Sequence, residues 1–200
     1  MMEASVKARL GGFRLEVDLQ CKGTTCVAGR NGSGKTSLFM ALAGFLPFDG
    51  YLRIGGKDVT RLPVEKRGVV MVTPSSCFPH LDVESHLKRG AMLKGKRLSP
   101  EALSRTRSEL GINFDGPVKN LSLGMRGRVS LATALLSGPR AILVDEVFSI
   151  LDDKEGFVTA YGRLTSEEGI DMLFTSQSDL DGRLAEQTYV MNNGSATLKP

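Results

Sequence analysis

The sequence predicts an α/β protein whose sheet is mostly parallel, and three observations support this. The apolar runs GVVMV (68–72), AILVD (141–145) and MLFTS (172–176) are typical of strands covered on both faces. A glycine-rich segment separates TTCVA (24–28) from SLFMALAG (37–44), whose final glycine is typical of a helix end, so a strand, a loop and a helix follow one another. With 200 residues, 41% of them hydrophobic, the chain is long enough to bury a core.

Antiparallel strands are predicted at both ends of the chain. The segment FRLEVDL (13–19) alternates apolar and polar residues with the period of a half-buried strand. The Gly11-Gly12 pair before it favours a hairpin turn. Near the C-terminus, Asn193-Gly194 is a strong hairpin signal. We therefore expect antiparallel strands in addition to the parallel ones.

The domain organisation follows from where helical sequence interrupts the apolar runs. Residues 76–137 are mostly helical in pattern, and Gly138-Pro139 closes this stretch. We predict an α/β core formed by residues 1–75 and 138–200, with residues 76–137 inserted as a helical subdomain.

Composition limits the classes of function. No run approaches eighteen apolar residues and the N-terminus MMEASVKARL lacks an apolar signal core, so we expect no membrane-spanning segment. The three cysteines show no metal-ligand spacing, which favours free thiols in a reducing cytoplasm. The net charge of +4 is concentrated in one basic stretch that lacks interleaved aromatic residues, which disfavours nucleic acid. A solvated helical face, or contact with anionic lipid or an acidic partner, remains open for its residues Lys88, Arg89, Lys94, Lys96, Arg97, Arg105 and Arg107.

The segment GRNGSGKT (29–36) matches the phosphate-binding pattern G-x-x-x-x-G-K-[ST] between a strand and a helix, as the pattern requires. Gly32 and Gly34 let the backbone turn and direct N–H groups at phosphate oxygens. Lys35 would contact the β- and γ-phosphates, and the Thr36 hydroxyl would bind Mg²⁺. A purely structural glycine turn is the alternative. We predict an ATP site formed by Gly29, Arg30, Asn31, Gly32, Ser33, Gly34, Lys35, Thr36 and Ser37.

AILVDE supplies two acids at the end of a buried strand. Burying a carboxylate in that position costs free energy unless a cation or hydrogen-bond donors compensate its charge. A Mg²⁺ ion bound jointly by Asp145 and Thr36 would compensate the charge of Asp145. Glu146 is then the candidate general base that activates the attacking water. A helix N-cap is the alternative for this acidic pair.

With these motifs placed, the chain resembles the nucleotide-binding domain of the ATP-binding cassette (ABC) family over almost its whole length. LSLGMRGRVSLATALLSGPRAILVDEVFSILDD (121–153) is similar to the family signature LSGGQ followed by a helix, the Walker B strand and the D-loop. LPVEKRGVVMV and CFPHLDV resemble stretches of import-type ATPases for sugars, oxyanions and polyamines. The resemblance implies a P-loop NTPase fold with a RecA-like core.

The resemblance also implies a head-to-tail dimer, in which the signature of one domain closes over the ATP on the P-loop of the other. By position, Ser122 and Gly124 would contribute a hydroxyl and a backbone N–H to the γ-phosphate of the partner's nucleotide. Residues 149–152 would form the D-loop that crosses the dimer interface. A second helix terminus there would complete the cage around the outer phosphate.

Two switch positions depart from the family pattern. Thr73 stands where the Q-loop glutamine is expected, and it would reach Mg²⁺ only through a bridging water. Ser176 stands where a histidine normally contacts the γ-phosphate, so we assign it to the catalytic site as a weaker hydrogen-bond donor. Gln177 is longer and is the alternative substitute for that histidine, although on a strand its side chain is expected to point to the opposite face.

The expected adenine-stacking position is also altered. Leu10 replaces the usual aromatic residue, and Phe13, the nearest aromatic, is expected to pack in the core because it lies on the alternating strand. Further departures are Leu123 and Met125 in the signature and Val147 after the Walker B glutamate. Neither signature change removes the Ser122 hydroxyl or the Gly124 backbone.

These residues lead to one functional prediction and two rivals. The chain is predicted to be the ATP-binding subunit of an ABC transporter, on the inner face of the cell membrane. It would bind Mg-ATP and hydrolyse it, slowly or with help from a partner, to drive transport through separate permease chains. Its expected partners are permease subunits that contact residues 75–87, a second ATPase subunit in a homodimer or heterodimer, and a substrate-binding protein. The first rival is a non-catalytic or regulatory subunit. The second is a soluble P-loop ATPase, although a kinase would not need residues 122–152 and a DNA-maintenance ATPase would need a coiled-coil insertion.

Overall fold

The computed structural model describes residues 1–199, with residue 179 described by its backbone only. The regular elements follow the order of the sequence pattern, with 3₁₀ turns at 64–66, 118–120, 148–150 and 179–184. The strands and helices are β1 Met2–Leu10, β2 Phe13–Cys21, β3 Thr24–Ala28, α1 Lys35–Ala43, β4 Asp49–Ile54, β5 Lys57–Asp58, β6 Val69–Val72, α2 Val83–Leu93, α3 Pro100–Glu109, α4 Leu123–Leu136, β7 Ala141–Val144, α5 Lys154–Glu167, β8 Asp171–Ser176, β9 Gln187–Asn192 and β10 Ser195–Leu198.

Within residues 1–199 the strands form one ten-stranded sheet in the order β5-β4-β1-β2-β10-β9-β3-β8-β7-β6. Strands β9, β3, β8, β7 and β6 run parallel to one another, whereas β5, β4, β1 and β2 pair antiparallel. The predicted α/β class, with a parallel core and N-terminal antiparallel strands, is confirmed. Parallel pairing brings the carboxyl ends of β3, β8, β7 and β6 to one edge of the sheet.

Both predicted hairpins are present. Gly11-Gly12 joins β1 to β2, with Leu10 opposite Phe13. Asn193-Gly194 joins β9 to β10 in the same way. The sequence patterns did not single out β4, β5 or α5. Strand β4 has no apolar run because only Leu52 and Ile54, near its end, are buried. Strand β5 is too short to show a pattern, since it has two residues.

The core occupies both faces of the sheet, which explains the continuous apolar runs. On one face α1 packs with residues such as Val27 and Leu173. On the other face α4 and α5 pack with Cys26, Ala28 and Phe174. Neighbouring residues of one strand therefore enter different clusters, and both faces require apolar side chains.

Three helices lie between β6 and β7. Each begins at a polar cap whose side chain accepts a backbone N–H, namely Asp82, Ser99 and Ser122 for α2, α3 and α4. The division into a core and a helical subdomain, 76–137, stays a prediction. Across residues 1–199, no helix has the length and apolar character needed to span a membrane.

Candidate nucleotide-binding site

The glycine-rich loop connects β3 to α1 at the carboxyl edge of the sheet. Gly32 has φ of +78° and Gly34 has φ of +105°, a backbone region that favours glycine. A Cβ on Gly34 would also lie 2.8 Å from Cζ of Phe13. The Gly29 N–H donates to the Ser176 carbonyl at 3.0 Å, which ties the loop to the end of β8.

Lys35 lies under this loop and is 5% exposed. Its Nζ donates to the carbonyl oxygens of Gly29 at 2.6 Å and Arg30 at 3.0 Å. Burial lowers the pKa of Lys35, while the carboxylates of Glu146 and Asp145 act in the opposite direction. The ammonium group therefore binds two carbonyl oxygens of the loop, and the nearby carboxylates of Glu146 and Asp145 favour its charged form.

A cavity of about 410 Å³ covers the loop and the start of α1. Thr36 is exposed there and Ser37 is half-buried. Phe13 packs partly against the core, as predicted, but it also forms the apolar end of this cavity together with Leu10. The lining residues are Leu10, Phe13, Asn31, Gly32, Gly34, Lys35, Thr36, Ser37 and Glu146.

Three residues of the predicted phosphate loop lie outside this cavity. Gly29 and Arg30 line a neighbouring cavity of about 610 Å³. Ser33 is buried, and among residues 1–199 its Oγ has no hydrogen-bond partner. The Ser33 side chain therefore points into the protein, and its carbonyl accepts the N–H of Gly194 at 2.9 Å.

Asp145 follows β7 and is 6% exposed. Its N–H donates to the Val72 carbonyl at 2.8 Å, and its Oδ1 accepts a hydrogen bond from Thr175 Oγ1 at 3.0 Å. Within residues 1–199 there is no cluster of three or more histidine, cysteine or acidic residues that would hold a metal. Thr36 and Asp145 offer a hydroxyl and a carboxylate, the ligand types with which Mg²⁺ combines water and phosphate oxygens.

Glu146 adopts a left-handed backbone conformation, with φ of +59°. This conformation costs about 1–2 kcal/mol for a residue with a Cβ. Its N–H donates to Thr175 Oγ1 at 2.9 Å, and its carbonyl accepts Ser149 Oγ at 2.6 Å. These two hydrogen bonds hold the strained residue at the edge of the cavity, with its side chain exposed.

The sequence placed Thr175 at the site, as the first residue of the TSQ segment (175–177), but assigned it no role. Its single hydroxyl accepts from the backbone of Glu146 and donates to the carboxylate of Asp145, so it fixes both acids relative to β8. The available signal was a small hydroxyl residue at the end of the apolar run neighbouring AILVD.

Ser176 lies at the end of β8 and lines a smaller cavity, of about 210 Å³, together with Lys35 and Glu146. Its Oγ accepts the N–H of Ser178 at 2.9 Å and hydrogen bonds to the carboxylate of Asp181. Asp181 is itself paired with Lys154. The serine hydroxyl is therefore engaged by the loop that follows the strand.

Gln177 is placed differently from the sequence expectation. Strand β8 ends at Ser176, so the alternation of side chains no longer applies one residue later. The Gln177 Nε2 lies 3.5 Å from Oε1 of Glu146. The expectation that Gln177 points to the opposite face was wrong for this reason.

Thr73 lies in the turn after β6, at the same edge of the sheet as Asp145. Its Oγ1 is 3.0 Å from Ser75 Oγ and 3.1 Å from Ser76 Oγ. Its N–H donates to Ser76 Oγ at 2.9 Å. The hydroxyl thus stabilises its own turn, and the side chain does not line the 410 Å³ cavity.

The predicted signature residues lie at the N-terminus of α4. Ser122 is exposed and its Oγ accepts the N–H of Met125 at 3.2 Å. Gly124 lies close to the D-loop, since a Cβ there would be 3.1 Å from the Ile150 carbonyl oxygen. Neither residue lines the 410 Å³ cavity over the glycine-rich loop.

Comparison with known proteins gives relatives along nearly the whole chain. The molybdenum import ATP-binding protein ModC of Rhizobium meliloti (strain 1021) is 36% identical over 207 residues, covering 96% of this chain and 58% of the relative. The molybdate/tungstate import ATP-binding protein WtpC of Archaeoglobus fulgidus is 34% identical over 202 residues, covering 96% of this chain and 84% of the relative. The chain therefore spans less than two thirds of the length of ModC.

Solved structures share the fold. The ATP-binding subunit of an ABC transporter superposes with a TM-score of 0.82 at 20% identity, covering 100% of this chain and 89% of that one. A dimeric ATP-binding cassette in a post-hydrolysis state, bound to ADP and Pi, gives a TM-score of 0.80 at 18% identity, covering 100% and 98%. The family model described as ABC transporter matches residues 13–149. Because this family model matches more than half of the chain and the import relatives are 34–36% identical over 96% of it, the chain belongs to the ABC transporter family.

Proposed function

We propose that this chain is the ATP-binding subunit of an ABC importer, which binds and hydrolyses Mg-ATP to drive transport through separate permease chains. The observation that carries the proposal is the 410 Å³ cavity, which joins the glycine loop and the start of α1 to Glu146. A phosphate chain placed there would meet backbone N–H groups, the helix N-terminus and Lys35 on one side. On the other side it would meet the proposed general base.

The phosphate-binding residues act through charge and backbone geometry. Lys35 would exchange its contacts with Gly29 and Arg30 for phosphate oxygens, which are stronger partners for an ammonium group. Mg²⁺, when bound, would neutralise phosphate charge and would be held by Thr36 and Asp145. Thr73, expected to reach Mg²⁺ through a water, has its hydroxyl engaged by Ser75 and Ser76. Phe13 and Leu10 would receive the base at the apolar end of the cavity.

Glu146 is the proposed general base. Glu146 lines both the 410 Å³ cavity and the 210 Å³ cavity, and its carboxylate would accept a proton from a water that attacks the γ-phosphate. Ser176 replaces the expected histidine, and its hydroxyl is held by Asp181 and Ser178. We therefore propose that hydrolysis by the isolated chain is slow and that a partner accelerates it.

We further propose a head-to-tail dimer, formed with a second copy or with another ATPase subunit. Ser122 and Gly124 lie at an exposed helix N-terminus outside the cavity of their own chain. The positive end of α4 would then act on the γ-phosphate of the partner's nucleotide. Residues 149–152 would cross the interface beside them.

The proposed permease contact lies on the helical side, where residues 76–137 form the proposed signature subdomain. An apolar cavity of about 710 Å³ opens between the outer edge of β6 and helices α2 and α4, with Ser75 and Phe78 among its lining. This cavity overlaps the expected contact region, 75–87.

The subunit would act on the inner face of the membrane. The names of the import relatives favour an oxyanion such as molybdate as the permease cargo.

The test is the ATPase activity of the purified chain, alone and with its co-purified permease, in the presence of ATP and Mg²⁺. We expect ATP binding by the chain alone, slow turnover, and faster turnover with the permease. Chelation with EDTA should remove turnover. Failure of the chain and the complex to bind ATP would contradict the proposal, and full turnover without a partner would contradict its slow-hydrolysis part.

One observation favours a second candidate, a regulatory subunit that closes around ATP without hydrolysing it. The hydroxyl of Ser176 is engaged by Asp181 and is not directed freely at the phosphate cavity. In a regulatory subunit, replacing Glu146 by glutamine would leave the activity of the complex unchanged.

A further inference from the structure

We propose that Gln177 is the positioning residue for Glu146, in place of the serine at the histidine position. This inference rests on the proposed function, because it concerns how the proposed general base is held. It assigns to the loop after β8 a role in hydrolysis that the glycine loop and the AILVDE strand do not supply.

The first step is that Ser176 is unable to perform this task. A serine hydroxyl has one proton to donate, and here the possible acceptors are the Asp181 carboxylate and the Ser178 carbonyl, the latter at 3.1 Å. Asp181 is fixed by its ion pair with Lys154, and both side chains are partly buried. The hydroxyl of Ser176 therefore folds the turn at 176–178 and does not point to Glu146.

The second step is that this turn directs Gln177 to the base. The Gln177 Nε2 is 3.5 Å from Oε1 of Glu146, and within residues 1–199 it is the one hydrogen-bond donor that reaches the Glu146 carboxylate. The amide nitrogen faces the carboxylate because the amide oxygen would repel it. A contact of 3.5 Å is long, and catalytic hydrogen bonds of this kind commonly tighten when substrate binds.

The backbone of Glu146 is held by other residues, but its carboxylate is not. Its N–H and carbonyl are fixed by Thr175 and Ser149, which set the backbone and leave the carboxylate to rotate. An amide donor at the carboxylate restricts that rotation. An amide does not titrate, so Gln177 would position Glu146 without adding a charge that changes with pH.

The experiment compares Gln177→Ala and the isosteric Gln177→Glu with wild type in the full chain, in the co-purified complex if turnover requires it. Gln177→Ala should lower kcat for ATP about tenfold, the effect of removing a hydrogen bond to a charged group, and change KM less than twofold. Gln177→Glu should lower kcat at least as much, because it keeps the shape but loses the donor. Gln20→Ala, at an exposed strand position, is the matched control and should retain wild-type kcat.

A double-mutant cycle shows whether Gln177 acts through Glu146. In the Glu146→Gln background, Gln177→Ala should have no further effect on the residual rate. A further loss of the same size, or a rise in KM that accounts for the loss, would overturn the positioning role. Thermal unfolding of each variant confirms that the comparison is between folded proteins.

The failure of this inference is distinguishable from failure of the proposed function. If wild type binds and hydrolyses ATP while Gln177→Ala keeps full kcat, the positioning role is wrong and the proposed function stands. If wild type and complex bind ATP without turnover, the positioning role is overturned and ATP binding remains. If they do not bind ATP, both are overturned.

Discussion

The two walls of the candidate site are built in different ways. The loop wall, residues 29–37, consists mainly of backbone groups whose directions are set by Gly32 and Gly34 and by the start of α1. The strand-end wall, residues 145–146 and 175–177, consists of side chains that hold one another through hydrogen bonds. The loop wall keeps the family pattern, and the strand-end wall departs from it at Ser176.

The two walls differ in how well they tolerate substitutions. A backbone cradle depends on a few glycine positions and is insensitive to most neighbouring side chains. A side-chain wall depends on each donor and acceptor, so a single replacement redirects others. With serine at 176, Asp181 takes the hydroxyl and Gln177 takes the position next to Glu146.

The largest expected effect is on the strand-end wall. Replacing Glu146 by glutamine keeps the shape but removes the proposed base, and should lower kcat by about 10²–10⁴-fold with little change in ATP affinity. Steady-state ATPase assays on the chain or its complex measure this, with Glu168→Gln on the exposed end of α5 as control. Unchanged activity would instead favour the regulatory subunit.

The loop wall is tested next through its one buried cation. Lys35→Ala removes the proposed contact to the phosphates and should weaken ATP binding about 10- to 100-fold, the range for a hydrogen bond to a charged group. Equilibrium titration with ATP measures the dissociation constant. Lys57→Ala, an exposed lysine on β5, should bind ATP as wild type does. Equal affinity for Lys35→Ala and wild type would place the phosphates elsewhere.

A smaller effect separates backbone strain from contact in the loop wall. Gly34→Ala combines a left-handed φ with a Cβ 2.8 Å from Phe13, and should lower the free energy of unfolding by about 1–3 kcal/mol. Gly169 also has a left-handed φ, +65°, but a Cβ there meets no atom within 4 Å. Chemical denaturation should show a smaller loss for Gly169→Ala. Equal losses of unfolding free energy in Gly34→Ala and Gly169→Ala would mean that the Phe13 side chain moves away from the new Cβ at no energetic cost.

A comparable stability effect tests the strand-end wall. Thr175→Val keeps the shape but leaves the Glu146 N–H and the Asp145 carboxylate without their shared partner, which should cost about 1–3 kcal/mol of unfolding free energy. Turnover should also fall, because the backbone of Glu146 is released. Thr197→Val, exposed on β10, serves as the control in denaturation and ATPase assays. Wild-type turnover in Thr175→Val would show that Glu146 is held by other contacts.

The sequence alone determined the parallel core and the phosphate loop. A continuous apolar run indicates a strand that is buried on both faces. Cys26 and Val27 show the reason, because these neighbours pack into the cores on opposite faces of the sheet. The glycine loop is equally local, because its conformation and its chemistry lie in nine consecutive residues. The hairpins at Gly11-Gly12 and Asn193-Gly194 were predictable for the same reason.

The hydrogen bonds of the strand-end wall join residues that are far apart in the sequence. Thr175 meets Asp145 across 30 residues of chain and Gln177 meets Glu146 across 31, and no local pattern records such pairs. The direction of Gln177 depended on β8 ending at Ser176, because alternation holds only while a strand continues. A boundary shift of one residue therefore changes which side chain faces Glu146. That boundary is set by the pairing of β8 with β3 and β7 and by the hydrogen bonds of Ser176 to the turn that follows.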